Sequence, residues 1–468
     1  MSDFLNELPE GVAITDADVM ERYLTDFRRK YTGKAMAVLR PRSTEEVVSC
    51  VRLCAKHGVS IVPQGGNTSY CAAATPDGSG SQVILSFERM NRIREIDRLN
   101  RSVTVEAGVV LSSLQDAVAS VGLECPLSLG AKGSCQIGGN ISTNAGGMNV
   151  IGAGVTRDLV LGLEVVLSDG QVLDTLEPLR KDNSGYAVDQ LFIGAEGTLG
   201  LITAATLRMR RLAEKSVTAF LACPCLESVP SMLDRVQAAT GDGVRIFEYI
   251  GHDAMDRLLS TRSELRLPLE RKSPHYLLVE VATGTSAMPL EHVFEALVGD
   301  FMEEGLLTDG VIAASDTQRL ALMDLRESIP EGEVLSGGSV KHDVAVRPSR
   351  IADFIERASA IVLERGCGAR LSVYGHVGDG NVHFNVLPAP DNPVVTKEWI
   401  ETELSPSIYR LTREMGGTFS AEYGIGQAKL SLNAAYGNPV KSELMRRIKR
   451  GIDPQNRFNP GKVVARDA

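Results

Sequence analysis

Residues 129–147, LGAKGSCQIGGNISTNAGG, constrain this chain more than any other stretch. Glycine lacks a Cβ, so backbone N–H groups can close directly on a ligand. Successive exposed amides form a concave anion site suited to phosphate oxygens. Residues 63–69, PQGGNTS, form a second loop of this kind, and residues 194–200, GAEGTLG, a third. One such loop is usually a tight turn. Three within about 140 residues, each carrying hydroxyl or amide side chains, point to a large phosphate-bearing cofactor. The chain holds no G-x-x-x-x-G-K-[ST] motif, which counts against a P-loop NTPase. It also lacks a G-x-G-x-x-G turn with an acidic residue about 20 positions on, so a Rossmann site is unsupported.

A chain of 468 residues exceeds one ordinary core and predicts two or three domains. With 43% hydrophobic and 23% charged residues it has the composition of a globular protein. Its net charge of −10 argues against nucleic acid or an anionic membrane surface as partner. The eight cysteines are scattered; Cys50/Cys54 and Cys223/Cys225 have no matching second pair for a zinc site, which predicts reduced thiols. The N-terminal MSDFLNELPEG has no secretory pattern, and no run of 18 apolar residues is present. The expectation is a soluble cytoplasmic protein without a membrane span.

Ser43 followed by Glu46 predicts a capped helix, with Val47, Val48, Val51 and Cys54 on one face and Gly58 as its stop. A strand, VSIV, then runs into the first glycine loop. Further strands are expected at VILSF and VTVEAG, a helix at LSSLQDAVASVG, and a hairpin turning on Asp169-Gly170. The irregular alternation of strands and helices predicts an α+β fold. Glycine thins out after Leu212. Later come a capped helix (SDTQRLALMDLRES), a strand (SVKHDVAVRP), a helix near PSIYRLTREMGG and a polar, loop-like tail, RIKRGIDPQNRFNPGKV.

Residues 374–386, YGHVGDGNVHFNV, hold two of the chain's seven histidines. With Asp379-Gly380 as the central turn residues, His376 pairs with His383 across a hairpin, on one sheet face. Two imidazoles so placed can hold one metal ion. Two satisfied histidines flanking a plain hairpin explain the pattern equally well.

VPQGGNTS, LGAKGSCQIGGNISTNAGG, IGAEGTLGLIT and GHVGDGNVH…SAEYGIG…FNPGKV, in this order over nearly the whole chain, resemble the FAD-linked D-2-hydroxy-acid dehydrogenases of the vanillyl-alcohol oxidase superfamily. The resemblance extends in particular to D-2-hydroxyglutarate and D-lactate dehydrogenases. The resemblance implies a PCMH-type FAD-binding domain to about residue 212, a cap domain to about 425 and a C-terminal return to the FAD. It implies that Pro63, Gly65, Gly66, Asn67 and Thr68 take the FAD diphosphate. Pro126, Gly130, Ser134, Gly138, Gly139, Ser142, Thr143 and Gly147 would line the rest of the cofactor. Gly197, Gly200 and Ile202 match the third loop, and Asn459 a C-terminal contact. The only histidine before residue 250 is His57, outside these loops, so the FAD is expected to be non-covalent.

By the same resemblance His376, His383 and Glu422 would hold a divalent metal, most simply Zn²⁺. Arg326 and Lys341 would bind the substrate carboxylates, while Asn385, two residues after His383, could hydrogen-bond the acid. His342 falls on the apolar strand face and is expected to be a core residue. Two positions depart from the family. Tyr423 stands where relatives carry a histidine base, and Pro330 where the 2-hydroxyglutarate enzymes carry a hydroxyl. Either Tyr423 acts as a phenolate, or the bound hydroxyl needs less help, or the substrate differs. The implied activity is oxidation of a D-2-hydroxy acid (2-hydroxyglutarate, lactate or malate type) by hydride transfer to flavin. Electron-transfer flavoprotein, cytochrome or quinone would accept the electrons, and the chain would form a homodimer. A glycolate-oxidase FAD subunit and a flavin-binding subunit with impaired catalysis are the alternatives.

Overall fold

The computed structural model describes residues 2–466 and divides into two compact units. One comprises the chain up to Gly146, Gly154–Leu212 and everything from Glu422; the other is Ala213–Ala421 plus a short excursion, Gly147–Ala153. That excursion has no warning in the sequence, because it begins within the Gly146-Gly147 pair that ends the glycine loop.

In the first unit, Ser43 Oγ accepts the Glu46 N–H at 3.3 Å and opens α1 (Thr44–His57). Gly58 closes the helix at φ +70°. The first sheet comprises β1 (Ala13–Ile14), β2 (Ala37–Leu39), β3 (Ser60–Gln64) and β4 (Gln82–Ser86), in the order β1-β2-β4-β3. β2, β3 and β4 run parallel, and their inner residues pack on Val47, Cys50, Val51 and Cys54 of α1. Burial pushes the Cys50 thiol up to about 12, and all eight cysteines are free.

The second sheet is antiparallel: β5 (Ile93–Asp97), β6 (Ser102–Glu106), β7 (Val160–Val166), β8 (Val172–Asp174) and β9 (Leu201–Arg208), in the order β5-β6-β9-β7-β8. The β7–β8 hairpin turns on three residues rather than two. Leu167 and Gln171 close it, with the Leu167 N–H donating to the Gln171 carbonyl at 2.9 Å. Gly170 takes φ +79°, the left-handed residue that a three-residue hairpin requires.

The second unit is built on a seven-stranded antiparallel sheet. In chain order its parts are β10 (Lys215–Cys223), β11 (Val244–Gly251), β12 (His275–Thr283), β13 (Asp309–Ile312), helices α2 (Asp316–Glu327) and α3 (Ile329–Leu335), then β14 (Asp343–Ala345), β15 (Arg370–Gly375) and β16 (Asn381–Leu387). The strands lie in the order β13-β10-β12-β11-β15-β16-β14. Phe220, Ile250, Tyr276 and Leu325 are central to the core beneath.

Two expectations need correction. Tyr374, not His376, opposes His383 across β15–β16. The turn spans five residues: His376 lies beyond the end of β15, and its carbonyl accepts the N–H groups of Asp379, Gly380 and Asn381 at 3.1–3.2 Å. The tail is not all loop, since helix Pro439–Ile452 covers its first part. Asn438 Oδ1 caps that helix; buried Lys449 pairs locally with Asp453 and also donates to the Thr198 carbonyl at 2.7 Å, a contact only the folded chain supplies. Among the described residues no helix is long and apolar enough to cross a membrane.

Candidate active site

The three glycine loops converge in the first unit. A Cβ on Gly66 would sit 2.0 Å from the Ser134 carbonyl oxygen, and one on Gly197 would sit 2.3 Å from Pro63 Cγ. These contacts make the absence of side chains a packing requirement. Asn67 takes φ +53° and donates from Nδ2 to the Thr25 carbonyl at 2.8 Å. The Gly194 N–H donates to Ile141 O at 3.0 Å and the Glu196 N–H to Ser142 O at 2.8 Å, joining the third loop to the second.

Asn459 closes the ring. Its N–H donates to Ile61 O at 2.8 Å, and its Nδ2 to Ala73 O at 2.9 Å and Glu196 O at 2.8 Å. Gly130 and Gly139 face open space. Ser142 and Thr143 return their hydroxyl protons to the carbonyls of Gly138 and Gly139. Pro126, Gly200 and Ile202 are buried, Gly200 and Ile202 against Val165; Thr68 is half-buried beside Asn67; Gly147 belongs to the second unit. Gln136 Oε1 and Asn459 Oδ1 are buried without a partner. Glycine backbone, open cradle and orphaned polar atoms fit FAD.

Glu196, buried with φ +51°, accepts the N–H groups of Ile425 at 2.7 Å and Gly426 at 2.8 Å. It thereby holds the loop that begins at Glu422. Burial pushes its carboxyl up to about 7. On that loop the Tyr423 ring lies 4.6 Å from the Tyr70 ring, with Lys429 Nζ 5.8 Å from its centroid.

The second unit gathers the remaining candidates. The β11–β15 ladder ends at Tyr249↔Gly375, and one step further brings Glu248 to His376, whose Nδ1 bonds Glu248 Oε1. Glu248 Oε2 accepts from Arg326 Nε at 2.6 Å. Burial alone would raise the Glu248 carboxyl; His376 and Arg326 outweigh it and hold it at about 2. The Arg326 guanidinium lies 4.6 Å over the Tyr374 ring, and Tyr374 lies 5.1 Å from His383. Asn385 Nδ2 donates to Glu333 Oε1 at 2.9 Å, and Glu333 Oε2 takes Lys341 and Ser339. Lys341 is therefore ion-paired rather than on a plain solvated face. His342 is fully buried between Phe384 O at 2.8 Å and Ser405 Oγ at 2.7 Å, a core histidine.

The rings of His376 and His383 stand 5.2 Å apart and nearly perpendicular. Asp343 approaches His383 Nδ1 at 4.0 Å and binds the Ala421 N–H at 3.1 Å. Glu422, the next residue, is carried on that tethered backbone. One ligand atom each from His376, His383 and Glu422 falls within 4.8 Å of the others. Two imidazoles and a carboxylate suit Zn²⁺ or a similar ion with positions left open.

Residues 35–176 match the FAD binding domain model, and residues 212–463 match the model for FAD linked oxidases, C-terminal domain. The chain belongs to the FAD-linked oxidases. It is an FAD-dependent oxidoreductase. This FAD-linked oxidase is 35% identical to D-2-hydroxyglutarate dehydrogenase, mitochondrial, of Danio rerio over 463 residues, covering 98% of this chain and 84% of the relative. It is 34% identical to D-2-hydroxyglutarate dehydrogenase of Stutzerimonas stutzeri, covering 99% and 98%. Its fold matches p-cresol methylhydroxylase with substrate bound (TM-score 0.73, 17% identity, 99% and 96% covered), a PCMH-type neighbour.

Sequence reasoning missed Glu248, Glu333 and Tyr374. The one available signal was Glu248 itself, a carboxylate within the otherwise apolar run IFEYIG.

Proposed function

We propose that this FAD-linked oxidase is a divalent-metal-dependent dehydrogenase of D-2-hydroxy acids, with a dicarboxylate such as D-2-hydroxyglutarate or D-malate as substrate. The grouping of His376, His383 and Glu422 carries the reading. Arg326, which shares Glu248 with His376, and Lys341, which shares Glu333 with Asn385, favour a dicarboxylate over lactate or glycolate. The named activity of the relatives supports the 2-hydroxy-acid class.

When bound, FAD supplies a hydride acceptor and the divalent ion a Lewis acid for the hydroxyl and adjoining carboxylate. His376, His383 and Glu422 would hold the ion. Arg326 and Lys341 orient the carboxylates, each already preorganised by a buried glutamate. Asn385 Oδ1, buried and without a partner, is an acceptor for the substrate hydroxyl. Tyr423 directly follows Glu422; as a phenolate, favoured by the positive charge of Lys429 near its ring, it would take the hydroxyl proton and become the neutral phenol. A separate protein or quinone would serve as the electron acceptor.

The test is anaerobic. D-2-hydroxyglutarate, D-malate, D-lactate and glycolate are each added to the purified protein while its flavin spectrum is recorded, with and without a chelator. Bleaching by a D-dicarboxylate that the chelator abolishes is expected. Bleaching that survives metal removal sinks the metal assignment. A yellow protein that none of the acids bleaches favours a flavin-binding subunit with impaired catalysis, the reading that Tyr423 in place of histidine supports.

A further inference from the structure

Glu248 is 0% exposed and sits between a candidate metal ligand and a candidate substrate cation. Its two carboxylate oxygens do different jobs. Oε1 meets His376 Nδ1, and Oε2 meets Arg326 Nε at 2.6 Å. We infer that Glu248 is a positioning residue that simultaneously fixes His376 in the tautomer whose Nε2 faces the metal and holds Arg326 in place for the acid's carboxylate. This inference rests on the metal reading proposed above.

The chemistry follows from donor and acceptor counts. An ionised carboxylate only accepts hydrogen bonds, so His376 Nδ1 must carry a proton, and in the neutral ring Nε2 is then the nitrogen with the lone pair a metal needs. Metal-binding histidines are commonly oriented by a carboxylate on the far ring nitrogen. The placement is forced by the sheet. The ladder ends at Tyr249↔Gly375, and the Gly378 N–H donates to Phe247 O at 3.2 Å, so the turn is tied back along β11.

Glutamine is isosteric but cannot do both jobs. If its oxygen faces His376, its NH₂ opposes the Arg326 Nε–H. If it turns over, its NH₂ donates to His376 Nδ1, and the proton moves to the nitrogen that the metal needs. Glu333 supplies the contrast. It holds Lys341, Ser339 and Asn385, so it serves the substrate side of the cluster.

The experiment uses the full-length, FAD-loaded protein, stripped of metal and titrated with Zn²⁺ against a chromophoric chelator. Wild type, Glu248→Gln and Glu333→Gln are compared, and KM for D-2-hydroxyglutarate is measured in parallel. Glu248→Gln should weaken Zn²⁺ binding by about 10- to 100-fold and raise KM with it. Glu333→Gln should raise KM while its Zn²⁺ affinity stays near that of wild type. Wild-type Zn²⁺ affinity in a folded Glu248→Gln overturns the inference. Wild type that binds no Zn²⁺ removes the metal reading beneath it, a separate and distinguishable failure.

Should Glu248→Gln not fold, nitrogen-15 spectra of histidine-labelled, metal-free wild type decide the matter. The His376 signal, assigned by its loss in His376→Ala, should report a protonated Nδ1 and a bare Nε2. The opposite tautomer overturns the assignment.

Discussion

At the residue scale, two side chains carry predictions that separate the cofactor from the metal. His376→Ala removes one of three ligands, so it should cost at least about 100-fold in Zn²⁺ affinity. The glycine loops that fit FAD lie in the first unit and His376 in the second, so flavin content should be unchanged. Metal analysis paired with the flavin absorbance checks both; loss of flavin alongside metal would contradict the assignment. Tyr423→Phe keeps the ring that packs on Tyr70 and deletes only the hydroxyl. If that hydroxyl takes the proton, kcat should fall by about 10²-fold with little change in KM, read by stopped-flow flavin reduction. An unchanged rate would remove Tyr423 from the chemistry.

At the element scale, the close approach of the loops matters more than their flexibility. Gly66→Ala places a Cβ where the Ser134 carbonyl stands, 2.0 Å away, so backbone must move. The expected result is a protein purified largely without flavin, judged from its 450 nm to 280 nm absorbance ratio; full flavin content would mean the loops can part. Ser43→Ala removes the α1 cap and should cost about 1 kcal/mol, seen as a lower urea midpoint. The same scale explains the register error at the histidine hairpin. Asp379-Gly380 signals a two-residue hairpin, but His376 O captures three successive amides and lengthens the turn to five. That shift moves His376 away from His383 in the ladder and onto Glu248, while the ring-to-ring spacing of 5.2 Å survives.

At the scale of the whole molecule, Glu196 links chain regions more than 200 positions apart, bonding Ile425 and Gly426. Burial raises its carboxyl from 4.5 to about 7. A raised acid pKa means that the folded state binds the proton more tightly than the unfolded chain. Its contribution is therefore fully present below pH 4.5 and is lost as the pH climbs through about 7. At about 1.4 kcal/mol per unit, the swing is of order 3 kcal/mol. Glu196→Gln should flatten the fall in melting temperature across this window. A variant whose melting curve still tracks wild type from pH 4.5 to 7 would show that another group is responsible.

The sequence by itself determined the cofactor class and the polarity pattern. Glycine loops, the Ser43 cap and the Gly58 stop are local signals, legible because each depends only on neighbouring residues. His376 and His383 were visible for the same reason, as a rare residue type twice within one short hairpin. Only the tertiary structure decided the rest. The partners of those histidines, Glu248 and Asp343, come from strands well over a hundred and about forty residues earlier, and no periodicity encodes that reach. The last turns of helix Pro439–Ile452 looked like loop because buried Lys449, besides its local partner Asp453, is held by the Thr198 carbonyl, which it meets only once the chain has closed on itself. Gly147–Ala153 leaves one unit for the other, with Met148 packed against the second core. Local chemistry is written along the chain, whereas the pairing of Glu248 with His376 and Arg326 exists only where distant elements meet.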